Sequence, residues 1–61
     1  MSNRQRVLAH LLEQYEAVRM ADIADALGLT KRQVRTALND LRQLRQAISI
    51  GRTKTAVWVA A

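Results

Sequence analysis

The chain has no proline, and its only glycines are Gly28 and Gly51. With so few breakers, regular structure has two natural stopping places, and the 61 residues divide there into segments of different hydrophobic period. Before Gly28 the apolar residues recur at helical spacing. Between the glycines they do so again, and around Gly51 the spacing falls to two. Helices followed by a hairpin is the simplest reading of that change.

The first helix is predicted to start near Asn3, because Ser2 followed by Gln5 forms a capping box. Val7, Leu8, Leu11, Leu12 and Tyr15 then share one face. His10 points away from it and has no Cys or second His with which to share a metal. From Glu16 to Met20 the period breaks, with Val18 a candidate one-residue strand contact. Met20, Ile23, Ala24 and Leu27 make the apolar face of a short second helix closed by Gly28, the residue preferred where a helix ends in the left-handed conformation. Arg19 stands where an oxygen-bearing cap is expected, and Asp22 in the first turn partly offsets it through the helix dipole.

Thr30 and Gln33 form a second capping box, so a third helix is expected from Lys31. Val34, Ala37, Leu38, Leu41 and Leu44 fall within an arc of about 120° at 100° per residue. Lys31, Arg32, Arg35, Thr36, Asn39, Arg42 and Gln43 occupy the opposite side, and Asp40 lies on the flank. Beyond Ala47, Ile48-Ser49-Ile50 and Thr55 to Val59 read as two strands around a basic tip, Gly51-Arg52-Thr53-Lys54. The pattern leaves open whether Ala56 with Trp58, or Val57 with Val59, faces inward. The expected fold is mainly α with a small β-hairpin, in the order α-α-α-β-β, as a single domain over residues 1–61.

Size and composition limit what such a domain can do. A chain of this length buries only about 60% of the surface its unfolded form exposes. Without cysteine, neither a disulfide nor a thiolate zinc site can add stability. The core is therefore expected to be aliphatic, helped by Tyr15 and Trp58. No Gly-rich phosphate loop, metal-ligand spacing or Ser–His–Asp set is present, and the acidic pairs Glu13 with Glu16 and Asp22 with Asp25 read as solvated faces. The expectation is of no enzyme, no cofactor and no small-molecule ligand. No apolar run approaches a membrane span, and the N-terminal residues carry no signal-peptide core, so the expected location is the cytoplasm, with the nucleoid.

Charge points to a partner. The chain carries +5 in total, yet residues 1–30 sum to −1 and residues 31–61 to +6, where Asp40 is the only acid. Excess cationic charge gathered in one half marks a polyanionic partner, nucleic acid before an anionic membrane surface.

The stretch Met20 to Asn39 resembles the helix-turn-helix motif of bacterial and phage regulators. Ile23 is apolar and Ala24 small where two helices touch, Leu27 is apolar, Gly28 turns the chain, Leu29 plugs beneath the turn, and Val34 and Ala37 bury the second helix. With the hairpin that follows, residues 3–60 resemble a winged helix-turn-helix domain, the motif at about 20–44 and the wing at about 47–60. The resemblance implies sequence-specific binding of double-stranded DNA in transcriptional regulation, as a small repressor or activator. One helix would lie in the major groove, with the wing on the backbone or minor groove.

Carried onto this chain, the facing residues would be Thr30, Lys31, Arg32, Arg35, Thr36 and Asn39, the side already set opposite the core. Arg32, Arg35, Thr36 and Asn39 suit base readout and Lys31 a phosphate, while Thr30 is either a cap or a contact. Arg52, Thr53 and Lys54 would form the wing contact. Arg19 and Arg42 are candidate backbone contacts, Arg42 and Arg45 being open between phosphate contact and solvated charge, and Arg4 and Arg6 are read as surface charge. Trp58 is expected to pack against the helices. In the related Z-DNA-binding domains such a Trp sits beside an Asn and a Tyr of the recognition helix, positions held here by Arg35 and Asn39. A homodimer or a protein partner is also compatible with the resemblance, as are a module for protein or RNA and an architectural or replication-associated DNA binder with little sequence preference.

Overall fold

A computed structural model describes residues 2–51 and 56–61. Three helices pack against a three-stranded antiparallel sheet in the order α1 (Asn3–Glu13), β1 (Val18–Arg19), α2 (Met20–Leu27), α3 (Lys31–Gln43), β2 (Ala47–Ile50) and β3 (Val57–Ala60). Both capping boxes form. Ser2 Oγ accepts from the Gln5 amide at 3.2 Å while Gln5 Oε1 accepts from the Ser2 amide at 3.0 Å. At α3, Thr30 Oγ1 accepts from the Gln33 amide at 3.1 Å and Gln33 Oε1 from the Thr30 amide at 2.9 Å. Each box satisfies backbone N–H groups that a helix start otherwise leaves without partners.

The core joins Val7 and Leu11 of α1, Ile23 and Ala24 of α2, and Val34, Ala37, Leu38 and Leu41 of α3 to Ala47 and Trp58 of the sheet. Leu8, Val18, Met20, Leu27, Leu29 and Ala60 pack around it. Three expected core residues are not there. α1 stops at Glu13 and Gln14 is extended (φ −91°, ψ 137°), so Tyr15 leaves the helical wheel and stands fully in solvent. Leu12, at the edge of the apolar arc, is 67% exposed. Leu44 caps α3 beyond its last turn and is 53% exposed.

The expected order lacked one element. Val18 and Arg19 form a two-residue strand, so the sheet order is β1-β3-β2 with β3 at the centre. Val18 pairs with Trp58 and Arg19 with Val57. On the other side Ala47 pairs with Ala60, Ile48 with Val59, Ser49 with Trp58 and Ile50 with Val57. This settles the open register. Trp58 is buried and, with Val18, Ser49, Ala47 and Ala60, faces the helices, while Ile48 and Ile50 face out with Val57 and Val59. A ring of this size can be buried only where the helices leave room, and the alternation of the strand then fixes every other residue of the hairpin.

The ends of the motif helices are held differently from one another. Gly28 takes φ 67° and ψ 30°, and its amide and that of Leu29 both reach the Ala24 carbonyl. No atom lies within 4 Å of where a Cβ would sit at Gly28, so the left-handed backbone, not crowding, is what favours glycine there. Arg6 is not plain surface charge. Its guanidinium donates to the Leu27 carbonyl at 2.7 Å, closing the C-terminus of α2 from α1.

At the end of α3 the Arg45 amide donates to the Arg42 carbonyl at 3.0 Å and the Gln46 amide to the Leu41 carbonyl at 2.8 Å, the Schellman pattern. The left-handed position is Arg45, with φ 60°.

Replacing Arg6 with Ala should cost about 1–2 kcal/mol, because a half-buried, charge-assisted bond is lost and the Leu27 carbonyl is left without it. Urea unfolding of the two proteins measures this. An Arg6→Ala protein as stable as the parent would show that the bond contributes nothing.

Candidate nucleic-acid interface

α3 is built with two sides. Val34, Leu38 and Leu41 are wholly buried and Ala37 nearly so, which locks the helix to α1, α2 and β2. The same rotation leaves Lys31, Arg32, Arg35, Thr36 and Arg42 exposed and Asn39 half-buried. The predicted readout residues are thus brought onto one surface. Asp40, also exposed, lines a depression with Arg32 and Thr36 as well as Asn3, Gln33 and Ala37, so the one acid of this half borders part of that surface.

Individual side chains have distinct commitments. Thr30 acts as the cap of α3, its hydroxyl oxygen occupied by the Gln33 amide. Thr36 donates its hydroxyl proton to the Arg32 carbonyl at 3.1 Å. What it offers outward is therefore lone pairs and a methyl group, not a donor. Arg32, Arg35 and Lys31 are the exposed cations of the first two turns.

Between α3 and the inner face of the sheet runs a groove of about 330 Å³, lined by Arg35, Asn39 and Arg42 on the helix side and by Ser49, Ala56 and Trp58 on the sheet side, with Met20 and Gly51 at its margins. The Arg42 guanidinium lies over the Trp58 ring, 6.0 Å from its centroid. That distance is at the limit of useful cation–π attraction, and it holds the charge at the rim of the groove. Trp58 thus has two roles, buried in the core and lining the groove.

Arg19 is exposed at the join of β1 and α2, and its side chain makes no cap for the helix. The wing-tip residues Arg52, Thr53 and Lys54 lie outside the described residues, as does Thr55 of the expected second strand. Sequence reasoning did not find Ser49 or Met20 as groove residues. Both follow from the register of the sheet and from its pairing with β1, of which the sequence suggested only Val18. Among the described residues no group of acidic, His or Cys side chains could hold a metal, and no helix is long and apolar enough to cross a membrane.

Residues 1–58 match the sequence model of a family described as FaeA-like protein. Comparison with curated proteins finds no match. Among solved structures, the Zα domain from Carassius auratus PKZ in complex with Z-DNA is similar to this chain with a TM-score of 0.83, over 97% of this chain and 92% of that one, at 24% identity. At that identity the likeness establishes the winged helix-turn-helix fold and goes no further.

Trp58→Ala should remove about 3–5 kcal/mol, most of what a domain of this size has, since it opens a cavity where all three strands meet the helices. Circular dichroism on heating checks this. A Trp58→Ala domain that melts within a few degrees of the parent would mean that the ring belongs to the groove and not to the core.

Proposed function

Because this chain belongs to the FaeA-like protein family and folds as a winged helix-turn-helix, we propose that it binds double-stranded DNA as a sequence reader in transcriptional regulation. One observation carries the reading. The helix whose inner side is the centre of the core presents, on its outer side, four cations, Thr36 and Asn39, against a single acid, Asp40, which shares a depression with Arg32 and Thr36. An α-helix with its side chains is about 10–12 Å across and fits the major groove of B-form DNA, about 12 Å wide. That the Zα domain was solved with Z-DNA adds a relative by fold whose partner is also a duplex.

In this reading Arg32 and Arg35 donate to guanine O6 and N7, and Asn39 pairs with adenine N6 and N7 from inside the groove. Thr36 supplies its methyl to thymine or accepts from a base amine, in keeping with its internally bonded hydroxyl. Lys31 neutralises a phosphate at the start of α3. Arg42 and Arg19 follow the backbone, and Arg52, Thr53 and Lys54 supply the wing contact. The duplex needs no cofactor and the protein performs no reaction on it.

A second partner is favoured by one feature. Ile48 and Ile50 are each about half exposed on the outer face of the sheet, away from α3. Apolar side chains side by side on the outer face of the sheet suit a homodimer or another protein.

Neutralising four or five phosphates predicts that log affinity falls with log salt at a slope of about −4. Selection from a pool of random duplexes should enrich a motif. Arg35→Ala should cost about 1–3 kcal/mol and relax preference at one base pair, whereas Lys31→Ala should weaken all sequences equally. Equal loss on all sequences for Arg35→Ala would make Arg35 a phosphate contact. Binding without an enriched motif would leave an architectural binder, and no binding at low salt would remove DNA as the partner.

A further inference from the structure

We propose that Arg45, together with Arg42, forms a phosphate-binding notch at the C-terminal end of α3, which carries the grip on the nucleic-acid backbone past the readout face. The notch rests on the DNA-binding reading above and extends it to a residue that reading does not use.

The first ground is conformational. Arg45 is the one non-glycine residue at positive φ among the described residues, and it stands at the left-handed position of a Schellman turn, where glycine is the ordinary choice. The turn does not need an arginine there. Its hydrogen bonds are all made by the backbone, from the amides of Leu44, Arg45 and Gln46 to the carbonyls of Asp40, Arg42 and Leu41. The side chain is therefore surplus to the turn.

The second ground is electrostatic. Arg45 and Arg42 line the same shallow depression with Ala47, Ile48, Ser49 and Ala61. Asp40, the only Asp or Glu between residues 31 and 61, lines a different depression, with Asn3, Arg32 and Thr36. Two guanidinium groups share this notch with no Asp or Glu side chain lining it, and the phosphates of an external backbone match their charge. Arg42 also lines the groove that holds Arg35 and Asn39, so the notch is continuous with the readout surface. A strand following that groove would bring its next phosphates to Arg45. The ligand is accordingly a phosphodiester of the bound duplex, contacted without regard to sequence.

The test compares the whole chain with its Arg45→Gly and Arg45→Lys variants, binding fluorescently labelled random-sequence duplex over a range of salt. Glycine suits the backbone, so Arg45→Gly should melt no lower than the parent. It should nonetheless bind about five-fold more weakly at 0.15 M salt, with a salt slope smaller by about 1. Arg45→Lys should keep the parent slope. If the parent binds and Arg45→Gly matches it in affinity and slope, the notch is overturned while the DNA reading stands. If the parent binds no duplex even at low salt, the DNA reading fails and the notch falls with it.

Discussion

The burial of one side of α3 is the contact on which everything else in this domain depends. Val34, Ala37, Leu38 and Leu41 touch what α1, α2 and the sheet each bring to the centre, and a chain without cysteine has no disulfide to share the task. Val34, Leu38 and Leu41 each contribute about 1.5–3 kcal/mol when taken fully from water, so a single helix supplies much of the margin of a chain this short. A helix that is the core cannot turn about its axis. Its outer residues are thereby held at fixed angles, and the same packing that stabilises the fold orders Arg32, Arg35 and Asn39 in advance of any partner. Side chains presented from a rigid helix lose less freedom on binding than side chains on a loop.

Trp58 links that helix to the sheet. Paired with Val18 on one side and Ser49 on the other, it sits at the middle of the central strand, and the ring reaches both the core and the groove beside Arg42. The groove wall and the core wall are then one residue. In this arrangement the hairpin cannot slip by a position without taking the indole out of the core, which is why a wing joined to so small a sheet keeps its place against α3.

The elements legible in the sequence were those set by local chemistry. Ser2 with Gln5, Thr30 with Gln33, and Gly28 mark helix ends through bonds made within a few residues, and all three act as expected. The cationic face of α3 was legible because a helical wheel of 13 residues leaves little choice of side. Periodicity failed at the ends of helices. Tyr15 and Leu44 continue the apolar rhythm of α1 and α3, but each stands just past the last helical residue, where the wheel no longer governs direction. Long-range choices were also hidden. That Arg6 reaches the Leu27 carbonyl, or that the strand register turns Trp58 inward, depends on how elements meet and leaves no mark in spacing. Arg45 is a further kind of case. A glycine there would have announced the turn, and an arginine conceals it.

The departure at Arg19 shows how these long-range contacts replace local ones. Arg19 is extended (φ −81°, ψ 152°) and provides no side-chain bond for the start of α2. An eight-residue helix without a cap is far too short to persist alone. Its N-terminus is held because Arg19 belongs at once to β1, paired with Val57 of the central strand. Its C-terminus is held by the guanidinium of α1. Both ends of α2 are therefore fixed by tertiary partners, and β3 is bonded on one side to the segment that starts α2 and on the other to β2 of the hairpin. The first motif helix and the wing share one strand. Through β3 the start of α2 and the hairpin are tied to each other as well as to the core.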